Sequence, residues 1–475
     1  MPASSLDQLV SLCKRRGFVF PGSEIYGGLA NTWDYGPLGV ELKNALRDWW
    51  WERFVRRRSD MVGIDASIMM NPKVWEASGH VANFHDAMID CKNCKVRFRA
   101  DHLIQDACPD MNVEGQSPAA LTSIIQEKQI PCPRCGMKGT FTEARKFNLL
   151  FRTDLGVVEG EEQHSVYLRG EIAQAMFVNF KSVLNTTRKR LPFGIASVGK
   201  AFRNEITPGN FVYRTLEFDL MEFEYFIRPE TWEQTFGYWL AEQKSWAAEI
   251  GFAPERLRVR EHTKEELAHY SKRTVDLEYR TPFGWKEMFG LAYRTDFDLK
   301  NHSKHSGEEL LYTDPDTNEK LTPHVIEPTF GLSRLTLMTL LEAYDEEKLE
   351  NDSRTVLHLH PRIAPIQIAI LPLSKKENLV NKAQELYKKL LHETGLRLDF
   401  DVTGSIGKRY RRQDEIGTPQ CITVDFGTMG EDAKQGEKDT VTIRDRDTLK
   451  QERMGIAALL SKLSDYDHFF LRNCS

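Results

Sequence analysis

The stretch Phe202-Arg203-Asn204-Glu205, followed by Pro208-Gly209-Asn210 and then by Arg214, Phe218 and Glu222 at four-residue spacing, decides how the chain is read. Apolar and β-branched residues fill 202–226, and the Pro-Gly-Asn triplet supplies turn chemistry. The stretch therefore predicts two antiparallel strands joined by a turn. Side chains two or four apart in a strand share a face, which groups Arg203 with Glu205, and Arg214 with Phe218 and Glu222. Such faces offer cations to phosphate, an aromatic plane to a base and carboxylates to an amine. A merely charged and solvated hairpin is the alternative that an isolated stretch leaves open.

Working outward, 475 residues are enough for about two to four domains with buried cores. A formal net charge of -5 gives no global electrostatic case for a nucleic-acid partner, so any such contact must come from local basic patches. No apolar run approaches the ~20 residues of a membrane span. The start, Met1-Pro2-Ala3-Ser4-Ser5, lacks a charged segment followed by an apolar one, so secretion is not expected. Eight cysteines in so long a chain do not make a disulfide scaffold, and a reducing, cytoplasmic setting is the expectation.

Before the central stretch, Tyr26-Gly27-Gly28 and Trp33-Asp34-Tyr35-Gly36-Pro37-Leu38-Gly39 form a glycine-rich aromatic loop, but no Gly-Lys-Ser/Thr follows, which excludes a P-loop. Helical spacing of Leu42, Ala45, Leu46, Trp49, Trp50 and Phe54 predicts a helix over 38–54, and 63–70 reads as a strand closed by Asn71-Pro72. Cys91-x-x-Cys94 and Cys132-x-x-Cys135, 37 residues apart, offer four thiolates to a structural zinc ion, with four free thiols as the alternative. Cys13, Cys108, Cys421 and Cys474 have no pattern around them. A strand over 165–169 precedes a helix over 170–184, where Glu171 in the first turn is accounted for by the helix dipole alone. Helices are expected over 231–250 and 263–271, and strand and turn material over 283–288 and 293–298.

Further on, 323–331 reads as a strand that breaks into a helix with Leu332, Leu335, Met338 and Leu341 on its buried face. Arg334 lies in the first turn of that helix, where a cation is disfavoured unless an anionic ligand sits there too. A linker is expected at 346–353, and the alternation of short strands and helices beyond it predicts a small α/β domain. In it, Lys408-Arg409-Tyr410-Arg411-Arg412 combines charge with an aromatic ring, as suits single-stranded RNA; a solvated helix face is an equal alternative.

The pattern Phe-Arg-x-Glu, loop, Arg-x-x-x-Phe-x-x-x-Glu resembles motif 2 of the class II aminoacyl-tRNA synthetases. The helix and strand over about 38–72 resemble motif 1, which forms the dimer interface in that family, and 323–344 resembles motif 3. Phe18-Val19-Phe20-Pro21, Trp75-Glu76-Ala77-Ser78-Gly79-His80, Phe202 to Pro208, Tyr293-Arg294-Thr295-Asp296-Phe297-Asp298-Leu299 and Gly407 to Asp414 are similar to the homodimeric glycyl-tRNA synthetases. The resemblance covers nearly the whole chain. It implies an α+β fold: a class II catalytic domain over 1–353, an antiparallel sheet flanked by helices, with an insertion at about 90–145 and a C-terminal α/β anticodon-binding domain over 354–475. It implies ATP with Mg2+, glycine and tRNA(Gly) as partners, a homodimer, and a glycyl-adenylate intermediate.

By the same resemblance, Arg203 contacts the α-phosphate, Glu205 the adenine amine, and Phe218 stacks on the ring. Arg334 covers the other face or holds the γ-phosphate, so that Arg203, Glu205 and Arg334 carry the catalysis. Asn204, Tyr213, Arg214, Met288 and Gly331 complete the ATP set, and Glu287 is the candidate magnesium ligand. Arg99, Glu171, Phe218, Glu222, Glu327 and Thr329 are implied around glycine, and Lys408, Arg409, Arg411 and Arg412 toward tRNA. Several positions depart from the family pattern: Gly170-Glu171-Ile172 stands where Pro-Glu-Thr is expected, Thr329 for serine, Leu216 for arginine and Lys286 for glycine. Two other classes stay open at this stage. One is a synthetase-like protein that binds tRNA without charging it. The other is a class II enzyme of prolyl or threonyl type, which would need a side-chain pocket.

Overall fold

The computed structural model describes residues 6–464 apart from 109–110, 112, 114–115, 157–163, 206–208, 349–351 and 433–436. Pro208 of the expected turn, the N-terminal pentapeptide and Cys474 therefore lie outside the described residues.

Seven strands form the central sheet: β1 (Met61–Gly63), β2 (Phe193–Phe202), β3 (Glu217–Ile227), β4 (Leu257–Glu261), β5 (Arg273–Thr281), β6 (Gly284–Thr295) and β7 (His324–Gly331), in the order β4-β5-β6-β7-β3-β2-β1. Every pairing is antiparallel except β1 with β2. Both faces of β3 are covered, which its sequence explains. Met221, Phe223, Tyr225 and Ile227 join the larger core on one face, while Leu220 and Phe226 join a second core on the other. On the first face, helices α1 (Pro37–Trp51) and α2 (Trp232–Ile250) pack an aromatic cluster against the sheet. Phe54 lies 5.2 Å from Phe330 and Trp239 4.6 Å from Phe223, ring centre to ring centre. Pro37 opens α1 at its first position, where a missing N–H costs nothing. Gly39 has to be glycine, because a Cβ there would come within 1.9 Å of the Phe18 carbonyl oxygen.

The central stretch is shorter in strand than its composition implies. β2 ends at Phe202 and β3 begins at Glu217, so Arg203, Glu205 and Arg214 belong to the connection, not to strand faces. Asn210 (φ 61°) and Phe211 (φ 60°) are left-handed, which no strand tolerates, and Phe211 is fixed edge-on against Trp33 at 4.8 Å. The strand expected over 63–70 stops at Gly63, since the Ala66 carbonyl turns away to accept Arg169 Nη1 at 3.0 Å. Residues 263–271 form turns rather than a helix, because Glu266 accepts the Thr263 amide at 2.8 Å and closes the chain on itself. The helix expected over 170–184 is two, Ala173–Val178 and Phe180–Thr187, and strand material at 297–298 is instead the start of a helix, Phe297–Ser306.

Around the paired cysteines the chain forms a small sheet of its own. His85–Asp90 is the middle strand of three, with Arg97–Arg99 and Arg145–Asn148 on either side, over a core that includes Ile89, Leu103, Leu121 and Phe141. It is tied to the central stretch where the Asn204 amide donates to the Leu149 carbonyl at 2.8 Å.

After α3 (Leu332–Ala343), the segment read as a linker is a hairpin, Tyr344–Lys348 with Ser353–Leu357; its tip, 349–351, lies outside the described residues. A second sheet follows, in the order β9-β8-β10-β11-β12, from β8 (Ile368–Pro372), β9 (Leu398–Phe400), β10 (Gln420–Val424), β11 (Thr440–Asp445) and β12 (Gln451–Gly455). Helices α4 (Glu377–Glu393) and α5 (Ile406–Ile416) fall where their periodicity puts them, whereas the short, polar β12 was not anticipated. The hairpin joins this unit through charge. Asp414 on α5 accepts from Arg444 Nη1 at 2.8 Å and Nη2 at 2.9 Å, and from Arg354 Nη1 at 3.1 Å, all three side chains being buried. Asp414→Ala leaves two buried guanidinium groups without their shared acceptor, and is expected to cost about 3–5 kcal/mol in chemical denaturation. A loss under about 1 kcal/mol would show that water reaches the pair and that it ties nothing together.

Candidate active site

One rung of the sheet sets the floor of the site. Glu222 on β3 pairs with Thr329 on β7, Thr329 with Gly290 on β6, and Gly290 with Asp276 on β5. Since alternate residues face one way, Phe218, Leu220 and Glu222 from β3 point into the same cavity as Glu327 and Thr329. The cavity, of about 260 Å³, is closed at one end by carboxyl groups and lined by arginines at the other.

At the arginine end, the Arg203 guanidinium sits between two rings, 5.1 Å from Phe84 and 5.3 Å from Phe218, and its Nε donates to the Gly170 carbonyl at 3.0 Å. Gly170 explains its own departure from the family pattern: a Cβ there would meet Leu150 at 2.9 Å and Phe84 at 3.0 Å. Arg334, from the first turn of α3, lies 4.6 Å from the Tyr213 ring centre and 2.7 Å from Glu287 Oε2. Glu205 stands 3.9 Å from Arg214, and its Oε2 is buried without a hydrogen bond. The arrangement presents fixed cations and flat faces before any ligand arrives.

At the closed end, Arg294 is fully buried. Its Nε and Nη2 donate to Asp298 at 2.8 and 2.9 Å, its Nη1 to Glu327 at 2.7 Å, and Nη2 lies 3.8 Å from Glu171. The Tyr270 ring covers it at 3.7 Å. Glu171 accepts from Gln174 at 2.8 Å and lies 3.1 Å from His80 Nε2. Burial works to raise its pKa, but His80, Arg294 and Gln174 outweigh burial and hold Glu171 below the usual carboxylate range. Glu222 accepts from the Thr329 hydroxyl at 2.8 Å and lies against the carboxyl group of Glu327. Burial, with the charge of Glu224 added, pushes Glu222 up to about 7. Glu327 and Glu224 are also raised well above the ordinary value, chiefly by burial, and neither oxygen of Glu224 makes a hydrogen bond. Carboxyl oxygens of Glu222, Glu224 and Glu327 all lie within 4.8 Å of one another. Arg294 thus stands among four buried carboxyl groups, with Glu222 beside Glu224 and Glu327, and the raised pKa values of Glu222, Glu224 and Glu327 mark a site that a cationic ligand would relieve.

Of the residues singled out from sequence, Glu171, Arg203, Glu205, Tyr213, Arg214 and Phe218 line this cavity, as do Glu222, Glu287, Glu327, Thr329, Gly331 and Arg334. Three do not. Met288 is 1% exposed and belongs to the core on the opposite face, Asn204 is used through its backbone, and Arg99 is held by Asp101 and by Asp86 at 3.2 Å. In the C-terminal unit Arg409 is buried, donating to backbone carbonyls at Asp401 and Leu373, and so cannot face RNA. Arg411 is paired with Asp352, and Arg412 with Asp401. Sequence reasoning missed Arg294, Glu224, His80 and Gln174. The signals were present: an Arg-x-x-x-Asp spacing at 294–298, and two glutamates alternating within an apolar strand.

The four cysteines of the insertion do converge. Their sulfurs lie within 4.8 Å of one another, Cys91 to Cys135 at 3.7 Å and Cys94 to Cys132 at 3.6 Å. A tetrahedron of about 2.3 Å metal–sulfur bonds has edges near 3.8 Å, so the cluster fits a four-thiolate ion.

Antiparallel sheet, motif order and arginine-lined cavity together define a class II aminoacyl-tRNA synthetase architecture, and residues 367–466 match the anticodon binding domain family. The glycine--tRNA ligase of Bacillus anthracis is 54% identical over 459 residues, 96% of this chain and 97% of that protein. Those of Alkaliphilus oremlandii and Geobacillus kaustophilus are each 53% identical, over 97% and 98% of this chain and 98% and 99% of their own lengths. The chain belongs to the glycine--tRNA ligase family. Among the described residues no helix is long and apolar enough to cross a membrane.

The raised pKa of Glu222 has a consequence for stability. A carboxyl that is harder to ionise when folded keeps its full contribution below the unfolded value near 4.5 and loses it as pH rises through about 7. Glu222→Gln keeps the shape and cannot ionise. It is expected to match the wild type in thermal stability at pH 5 and to exceed it at pH 8, by up to about 3 kcal/mol. A variant that is less stable at pH 8 would show that Glu222 is an ordinary ion-paired carboxylate.

Proposed function

We propose that this chain attaches glycine to the 3′ end of tRNA in two steps through a glycyl-adenylate. The observation that carries the reading is the excess of buried carboxyl groups over the single Arg294 at the closed end of an arginine-lined cavity. Glycine offers one ammonium and one carboxylate. Its ammonium is taken by Glu171, Glu222 and Glu327, leaving the carboxylate directed toward Arg203. There it attacks the α-phosphorus of ATP, displacing pyrophosphate. Such a step depends on alignment and on charge neutralisation more than on proton transfer. The Arg203 guanidinium, clamped between Phe84 and Phe218, meets the α-phosphate without reorganising, with adenine on the free face of Phe218 and Arg334 beyond it. Magnesium, held at Glu287, would neutralise charge on the phosphates of bound ATP. Glu287 already faces Arg334, consistent with a site where cation and anion exchange partners.

Selection for the smallest amino acid rests on exclusion, since losing contact with one methyl is worth only about 1–3 kcal/mol. Thr329 contributes on both counts: its hydroxyl fixes Glu222, and its methyl narrows the floor. Lys408, Arg411 and Arg412 remain as the candidates toward tRNA. A homodimer through the motif 1 region is supported by Ile25, Tyr26 and Leu29, which are 88%, 87% and 62% exposed beside α1. The thiolate cluster is read as a structural zinc site, since four sulfurs leave no open position for chemistry.

Glycine-dependent exchange between pyrophosphate and ATP is the direct assay. Arg203→Ala should slow it by about 2–4 kcal/mol, or ~30- to 1000-fold; a variant within about threefold of wild type would remove Arg203 from the α-phosphate. Elemental analysis should find about one zinc per chain, and strong chelation should loosen the insertion while exchange activity survives. Protein prepared without chelators and carrying no zinc would refute the metal site.

A further inference from the structure

Phe84 braces Arg203 at the arginine end of the cavity, and four residues before it His80 reaches the carboxyl end. Only the first of these contacts enters the steps above. Gly79 is left-handed (φ 81°), which lets the chain turn from Ser78 straight into the single helical turn His80–Asn83. His80 is 3% exposed and wedged between two rings, with Trp75 edge-on at 5.4 Å and Phe84 tilted against it at 5.3 Å. Its Nδ1 pairs with the Ser78 hydroxyl at 2.8 Å, and its Nε2 lies 3.1 Å from Glu171 Oε2. The turn is anchored from the far side as well, since the Ser78 carbonyl accepts from His269 Nε2 at 2.9 Å.

The two oxygens of Glu171 are held differently. Oε1 accepts from Gln174 at 2.8 Å and lies 3.8 Å from Arg294 Nη2, whereas His80 is the partner of Oε2. An ionised carboxylate only accepts, so Nε2 carries the hydrogen of that bond. Burial works against the ionised form of Glu171, and His80 is foremost among the groups that oppose it. Without His80, Oε2 loses this hydrogen bond while the fixed charge of Arg294 still draws on the carboxylate. Glu171 would then close onto Arg294 and no longer stand where an ammonium can use it.

From this geometry we propose that His80, braced by Ser78, is the positioning residue that holds Glu171 open to the glycine ammonium. The proposal rests on the glycine-charging reading above. His80 does not line the cavity and acts through Glu171. Its influence is confined to the ammonium end. ATP is met by Arg203, Phe218 and Arg334, and Phe84 has its own anchor beneath Arg203, where its carbonyl accepts the Leu149 amide at 3.1 Å. A weakened hold on Glu171 therefore falls on glycine and spares ATP.

The test uses substitutions in the full-length protein, with the KM of glycine and of ATP taken from pyrophosphate exchange and the glycine Kd from calorimetry without ATP. His80→Leu removes the donor and keeps much of the volume. It is expected to raise the glycine KM and Kd on the order of 10- to 100-fold, the scale of one hydrogen bond to a charged group, with the ATP KM within about twofold. His80→Gln puts an amide N–H near the place of Nε2 and should recover most of the loss. Ser78→Ala removes the brace and should weaken glycine alone, by about three- to tenfold. Lost packing would instead lower kcat and melting temperature and shift both KM values, and glutamine would not mend it. A glycine KM within about threefold of wild type in His80→Leu, equal rises in both KM values, or His80→Gln as weak as His80→Leu would overturn the proposal. Should His80→Leu fail to fold, Ser78→Ala decides the matter, and an unchanged glycine KM there overturns it. Wild-type protein with no glycine-dependent exchange would instead sink the reading on which the proposal rests.

Discussion

The site depends on the burial of one guanidinium among carboxyl groups. Arg294 is held on three sides by Asp298, Glu327 and Glu171 and covered by Tyr270. A charge so far from water is stable only where its hydrogen bonds are satisfied, and here they are. The balance is struck with too many acids. Glu222 and Glu224 have no cation of their own, and their pKa values rise in response. The protein thus stores, inside its sheet, a demand for one more positive charge. A cationic ligand would meet it, and a neutral one would not.

The remainder of the fold serves that imbalance. Placing two glutamates in the middle of β3 requires strands on both sides and an apolar core on each face to exclude water. Tyr270 reaches Arg294 only because residues 263–271 turn over the cavity instead of forming a helix. The insertion grips the connection between β2 and β3 at Asn204, so that Arg203 is presented from a fixed backbone. The C-terminal sheet is tied to the catalytic part by Arg354 and Asp414, which links the domain matched to anticodon binding to the hairpin after α3.

Much of this was legible in the chain. Helices with long apolar stripes, α1, α2, α4 and α5, fall where their periodicity puts them, because burial of one face dictates both pattern and structure. Motif residues converge on one cavity because each sits on or beside a sheet strand or a helix start. What failed has a common cause in contacts from elsewhere. The strand expected after Gly63 is diverted by Arg169, 263–271 is drawn over the cavity, and Arg409 is consumed by carbonyls of its own domain despite lying in the densest basic run. Local composition carries no trace of such partners. Arg294 and Glu224 were missed for the opposite reason. The Arg-x-x-x-Asp spacing and the alternating glutamates were visible in the chain, but what they face is set by strands brought together only in the assembled sheet.

The central claim is that a glycine ammonium takes the place of a proton held between Glu222 and Glu327. Calorimetry of glycine binding at pH 6.5, repeated in buffers of different ionisation enthalpy, measures the protons exchanged. The account predicts net release approaching one proton per glycine bound, declining as pH rises above 7 and the carboxyl groups empty beforehand. Binding with no proton release at pH 6.5 would mean that the acids are already ionised in the free protein, and would contradict it.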